Sequence, residues 1–179
     1  MKLSPGTSNL TKHMFVLGID PGLSRTGYGV VESSGAAMRA VAAGVISTAP
    51  AEPVAARLRE LHDDLAAVIA QYRPDEVAIE EIFVNRNLQT ATSVGRASGV
   101  AMLAAASAGL EVFEYTPSAV KMGVAGYGDA TKEQVQAMVA RRLSLAVAPA
   151  PADAADALAV ALCHLQSTGL RRAVEGSRT

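Results

Sequence analysis

Beyond a polar opening, apolar positions come in three short blocks, FVLGID (15–20), TGYGVVES (26–33) and AMRAVAAGVIS (37–47), set apart by Pro-Gly and Ser-Ser-Gly. Short apolar blocks bounded by turn residues predict strands, and turns this brief predict an antiparallel meander. Gly27 and Gly29, inside the second block, leave room for another backbone to come close. From Pro53 the period changes. Leu58, Leu61, Leu65, Val68 and Ile69 recur at helical spacing, which predicts a helix lying on the sheet and ending before Arg73-Pro74. The pattern then alternates: a strand in DEVAIEEIF (75–83), an Ala-rich helix over 88–108, a strand in LEVFEY (110–115) and a helix opening at Thr116-Pro117. Strand–helix–strand order predicts crossover connections and parallel pairing for the later strands. A glycine-rich loop follows, then Thr131 as N-cap with Gln134 three residues on, opening a helix to about residue 143. After a proline-rich connector, DAADALAVALCHLQ (153–166) forms the last helix.

These elements predict an α/β fold with a five-stranded mixed sheet, antiparallel through its first three strands and parallel thereafter. A length of 179 residues, 50% of them hydrophobic, suits one well-packed core. The expected organisation is a disordered tail over 1–13, a single domain over 14–168 and a flexible tail over 169–179. A net charge of −1 gives no sign of a polyanionic partner, but its distribution is uneven. Arg86 and Arg96 stand in an acid-free stretch from 82 to 110, just after Asp75, Glu76, Glu80 and Glu81. A single cysteine, Cys163, excludes an intramolecular disulfide and a cysteine zinc site, and points to a reducing compartment. With no signal-like apolar segment, and an apolar stretch at 99–110 too rich in Ala and Gly to span a bilayer, a soluble cytoplasmic protein without membrane contact is expected.

The chemistry lies in the acids. Asp20 closes an apolar strand, and a carboxylate there must be paired, hydrogen-bonded or neutralised, since desolvating a bare charge costs several kcal/mol or more. Asp153 and Asp156, three apart, share one face of a helix's first turn. Capping and the helix dipole account for Asp153 alone. They account less well for Asp156, which is followed by Leu158, Val160, Ala161 and Leu162 and is expected to point to the core side. Glu80 and Glu81 must face opposite ways in a strand; by analogy with neighbouring parallel strands, Glu80 is assigned to the face of Asp20. Four carboxylates converging without a basic partner would repel each other, and cations resolve that conflict. An all-oxygen donor set favours Mg²⁺ or Mn²⁺ over zinc, and two such ions about 3.5–4 Å apart can hydrolyse a phosphodiester.

GIDPGLSRTGYGVVE, AIEEIFVNRN, SAVKMGVAGYGDATKEQV and PADAADALAVALCH, in this order from Met14 to about Gln166, resemble the motifs of the RuvC family of bacterial Holliday-junction resolvases. The resemblance implies a ribonuclease H-like fold with helices on both faces of the sheet. It further implies a homodimer, and metal-dependent, symmetric nicking of four-way DNA junctions in recombination and repair. It implies two metal ions per site and work alongside the RuvA–RuvB branch-migration complex. The family's catalytic, metal-holding acids fall on Asp20, Glu80, Asp153 and Asp156. Its junction-facing phenylalanine falls on Phe83, beside the polar run Asn85-Arg86-Asn87, and its lysines on Lys121 and Lys132. These residues are the expected DNA contacts: an aromatic stacks on an unpaired base, and the cations hold phosphates. Read without the resemblance, Phe83 suits a core and Arg86, Lys121 and Lys132 suit a solvated surface.

Two other functions compete. An actin-like ATPase or sugar kinase uses a similar Asp-x-Gly turn, but normally needs two such domains around its nucleotide. A non-catalytic junction-binding module would have no reason to keep all four acids. His13, His62 and His164 show no catalytic spacing with Cys163, and Gly95 and Gly99 allow close helix packing against the sheet or a second copy.

Overall fold

The computed structural model describes residues 13–81, 88–147 and 149–176. Strands β1 (His13–Asp20), β2 (Arg25–Ser34) and β3 (Ala37–Ser47) form the meander, and helix α1 (Val54–Tyr72) follows. Then come β4 (Glu76–Glu80), α2 (Leu88–Ser107), β5 (Glu111–Tyr115), α3 (Pro117–Ala125), α4 (Lys132–Arg142) and α5 (Ala152–Gly176). The strands make one sheet of order β3-β2-β1-β4-β5. β1 pairs antiparallel with β2, and β2 with β3, while β1–β4 and β4–β5 are parallel. That is the mixed pairing expected from the change of sequence pattern at residue 53.

Boundaries move in three places. β1 starts at His13, which pairs with Ser34 and bonds Glu32, so this residue belongs to the sheet and not to the tail. β4 is shorter than its apolar run and ends at Glu80; the Glu81 N–H still donates to the Tyr115 carbonyl at 2.7 Å. Helix α5 continues to Gly176, through a stretch whose pattern read as a tail. Ser167 and Thr168 are polar, but their hydroxyls donate back to the carbonyls of Cys163 and His164, so the helix absorbs them.

Alternation along the central strands sorts the core into two layers. Leu17, Ile19, Val30, Val77 and Ile79 pack with Leu61, Leu65 and Ile69 of α1 and with the alanines of α2. Met14, Val16, Val31 and Ala78 face the other way, against α3, α4 and the apolar stripe of α5. The capping box at Thr131 is formed, with Thr131 N–H donating to the Gln134 side chain and the Gln134 N–H to the Thr131 hydroxyl. Among the described residues no helix is long and apolar enough to cross a membrane.

Helix α5 lies unusually deep on the sheet because the strands beneath it offer glycine. A Cβ on Gly18 would stand 2.0 Å from the Ala157 carbonyl oxygen, and one on Gly27 2.0 Å from that of Asp153. Gly99, by contrast, faces open space on α2. Gly27→Ala should therefore lift the first turn of α5 and destabilise the protein by about 2–4 kcal/mol. Gly99→Ala should stabilise it by about 0.5–1 kcal/mol, because only helix propensity changes there. Urea unfolding midpoints of the two variants test the contrast.

Candidate active site

On β1 the residues turned toward α5 are Met14, Val16 and Gly18, and the next in that series is Asp20. On β4 the equivalent residue is Ala78, and the next is Glu80, one position past the Ile19–Ile79 pair in each parallel strand. The first turn of α5 crosses these strand ends and brings in Asp153 and Asp156. All four acids therefore meet at one end of the sheet, on one face. Their electrostatics record the meeting. Asp20 is pushed up from 3.8 to about 7, first by burial, then by Glu80, Asp156 and Asp153. Glu80 is also raised, by burial and then by Asp156, while a hydrogen bond with Asp20 and the charges of Lys132 and Lys121 oppose the rise. Asp20 and Glu80 share a hydrogen bond, and burial disfavours ionisation of both. Glu81, on the far side of the alternation, is exposed.

The expectation of four acids without a basic partner is corrected here. Arg25, the first residue of β2, directs Nε and Nη2 at the same Asp153 oxygen, at 2.9 and 2.8 Å. The Lys132 ammonium meets Asp156 Oδ2 at 2.6 Å, and this bond raises the lysine pKa. Neither pairing is visible in sequence, where the partners stand 128 and 24 residues apart. Asp153 lies inside the first turn of α5, so pairing with Arg25, and not capping, engages its side chain. Asp156 faces a cleft and not the core. That cleft, of about 320 Å³, is lined by Glu80, Lys121, Lys132 and Asp156, with Pro117, Val120, Val135 and Ala159 as its apolar walls.

A second cation, absent from the sequence reading, shapes the turn after Asp20. Arg57 is buried on α1 and donates through Nε to the Thr48 hydroxyl at 2.9 Å and through Nη2 to the Ser24 hydroxyl at 2.6 Å. Thr48 in turn donates to the Leu23 carbonyl. This clamp fixes residues 23 and 24, next to Arg25. The signal available beforehand was a lone arginine on the apolar stripe of an amphipathic helix. Of the expected DNA contacts, Lys121 and Lys132 stand at the cleft, whereas Phe83, Asn85, Arg86 and Asn87 lie outside the described residues.

Among the described residues no three acidic, histidine or cysteine side chains are arranged to hold a metal ion as they stand. Arg25 engages Asp153 and Lys132 engages Asp156. The donor set nonetheless fits a hard divalent cation: every acid contributes oxygen only, and two bases leave the charge of four acids half compensated. The raised Asp20 pKa is a further mark of uncompensated charge.

A five-stranded sheet of this order, helices on both faces, and acids at the ends of β1 and β4 and on the helix above them define a ribonuclease H-like nuclease domain. The family model described as crossover junction endodeoxyribonuclease RuvC matches residues 16–164. The RuvC protein of Pelotomaculum thermopropionicum is 53% identical over 151 residues, covering 84% of this chain and 92% of that protein. Its counterpart in Natranaerobius thermophilus is 48% identical over 158 residues, covering 88% and 98%. The structure of T. thermophilus RuvC in complex with a Holliday junction substrate superposes with a TM-score of 0.82 at 41% identity, over 87% of this chain and 94% of that one. The chain belongs to the RuvC family of crossover junction endodeoxyribonucleases.

The raised Asp20 pKa sets a pH dependence. In the folded protein the group titrates near 7, in the unfolded chain near 3.8, so its stabilising contribution is complete below pH 4 and is lost as pH rises through 7. Asp20→Asn removes the ionisation. In the absence of divalent ions the variant should match wild type near pH 4 and exceed it by about 2–4 kcal/mol at pH 8. Urea titrations at both pH values check this, and a difference independent of pH would contradict the burial and repulsion just described.

Proposed function

We propose that this protein resolves four-way (Holliday) DNA junctions, cutting two strands of like polarity with a pair of metal-dependent active sites. One observation carries the reading: in a RuvC-family chain, Asp20, Glu80, Asp153 and Asp156 converge from two adjacent strand ends and one helix turn, beside two lysines. Those acids are the residues that would hold Mg²⁺ or Mn²⁺, two ions per site. Bound there, the ions supply an activated water and charge stabilisation for the departing 3′ oxygen.

The chain's own groups do the rest. Lys121 and Lys132 orient the phosphate at the cleft mouth and offset its charge. The cleft's apolar wall of Val120, Val135 and Ala159 keeps bulk water from one side of the reacting phosphate. Phe83 reaches the junction bases, and Asn85, Arg86 and Asn87 hold the backbone near the crossover. A homodimer supplies the second site, because a four-way junction has approximate two-fold symmetry and two equivalent scissile phosphates. The setting is the cytoplasm, in recombination and repair, with the RuvA–RuvB branch-migration complex as partner.

The test is cleavage of a synthetic mobile four-way junction in Mg²⁺ and separately in Mn²⁺, with linear duplex as control. Paired symmetric nicks are expected from wild type. Asp20→Asn, Glu80→Gln and Asp156→Asn should each lose at least about 10²–10³-fold in rate while still binding the junction. Binding without any cutting by wild type would leave a junction-binding module. Lys121→Ala should reduce the slope of log affinity against log salt by about one phosphate contact. An unchanged slope would return Lys121 to the ordinary surface.

A further inference from the structure

The two bases at the acid cluster are held in different ways. Arg25 presents a planar fork whose Nε and Nη2 both reach Asp153 Oδ2. The turn that carries it is clamped by Arg57 through Ser24. Lys132 makes a single point contact with Asp156 Oδ2 from a flexible stem; both bases are about equally exposed, Arg25 51% and Lys132 54%, so the contrast lies in geometry. Arginine in a bidentate, braced setting gives up its partner at higher cost than a lysine on a free stem.

The position of Lys132 sharpens the difference. It is the first residue of α4, where the helix dipole disfavours a cation. The backbone there is already capped by Thr131 and Gln134, so α4 gains nothing from this side chain. What stabilises it there is the carboxylates of α5 and the strand ends. Withdrawn from Asp156, the ammonium would still line the same cleft as Lys121 and Glu80; with the acids engaged by a cation, a phosphate oxygen is the anion left to it.

From this contrast we infer that Lys132 is an exchangeable counter-ion of the active site: its ammonium occupies Asp156 in the metal-free protein, yields that carboxylate to an arriving divalent cation, and turns to the DNA phosphate. Arg25 is the fixed counter-ion and keeps Asp153 oriented throughout. Lys132 thus couples metal loading to substrate capture, since the same event that frees Asp156 for the metal frees a cation for the DNA. The inference rests on the metal-dependent reading above.

The experiment uses the full chain without DNA. The ¹³Cε–¹Hε signal of Lys132, assigned with Lys132→Arg, and the ¹⁵Nε–¹H signal of Arg25 are followed by NMR as Mg²⁺ is added. Saturation should move the Lys132 signal to that of a free lysine and leave Arg25 in place. In parallel, Mn²⁺ affinity is measured by electron paramagnetic resonance for wild type, Lys132→Met and Asp20→Asn. Lys132→Met should bind Mn²⁺ roughly five- to tenfold more tightly, the gain from removing one partly exposed ion pair and its charge. A Lys132 signal indifferent to saturating Mg²⁺, or an unchanged Mn²⁺ affinity in Lys132→Met, overturns the exchange while Asp20-dependent Mn²⁺ binding keeps the metal site. Equal Mn²⁺ affinity in wild type and Asp20→Asn overturns the metal site itself and the exchange with it.

Discussion

Aspartate has a short side chain, so three aspartates from a strand and a helix can share one site only if the two backbones nearly touch. A helix on a sheet ordinarily stands about 10 Å away, held off by side chains on both surfaces. Beneath the first turns of α5 the strands present glycine, so no side chain holds the helix off there. Gly18 receives the Ala157 carbonyl and Gly27 the Asp153 carbonyl, each where a Cβ would lie 2.0 Å away. The helix answers with alanine on its buried face, at 154, 155, 157, 159 and 161. Glycine in a strand costs conformational entropy and forfeits packing. That cost is offset by the burial of α5 along both central strands, and its result is a first turn low enough for Asp153 and Asp156 to act on Asp20.

Depth alone would leave α5 free to slide. Its direction is antiparallel to β1 and β4: Asp156 acts on Glu80 at one end, and His164 meets Glu76 at the other. From Asp156 to His164 the helix rises about 12 Å, at about 1.5 Å per residue. From Glu80 back to Glu76 the strand runs about 13 Å, at about 3.3 Å per residue. The two spans match, so one pair sets the other. His164 is fully buried, and its ring nitrogens reach Glu76 at 2.5 Å and Tyr115 at 2.8 Å. With Nε2–H donating to the carboxylate, Nδ1 accepts from the phenol, a single tautomer that satisfies both nitrogens. Tyr115 ends β5 opposite Glu80, so this chain ties α5 to β4, which carries Glu80, and to its neighbour β5.

What could be read from the chain and what could not divide along a physical line. Period, turn chemistry and caps are local, and they located the meander, the change to crossover pairing, the end of α1 and the box at Thr131. Gly27 and Gly29 could be marked as places of close approach because glycine within a strand has few other uses. Gly18 carried the same information and went unremarked, inside a stretch dominated by the aspartate that follows it. Of the two readings of Gly95 and Gly99, packing against the sheet does not hold for Gly99, which faces open space in the single chain, and packing against a second copy stays an expectation. The convergence of Asp20, Glu80, Asp153 and Asp156 was legible from strand ends and helix phase together with the family resemblance. The pairing of Arg25 and Lys132 was not, since it depends on which loop and which helix come to rest over the first turn of α5.

At the acids the fold works against its own stability. Elsewhere the polar interior is settled: no buried side-chain nitrogen or oxygen among the described residues lacks a partner. At the site, burial and mutual repulsion keep a proton on Asp20 up to about pH 7, which an optimised fold would avoid by replacing the acid. Two bases soften the repulsion without abolishing it, and both attach to the helix acids, leaving Asp20 and Glu80 to face each other at the strand ends. An ion arriving from solution therefore meets two mutually opposed carboxyls at the strand ends and, on the helix above, the carboxylate held by Lys132. That asymmetry follows from topology: Asp20 is held in register by Gly27 of β2 and Glu80 by Tyr115 of β5, whereas Lys132 is carried by a helix packed chiefly on α5 and α3. Local rules break where chemistry is required, and the surrounding glycines, the Arg57 clamp and the His164 chain hold the broken part in place.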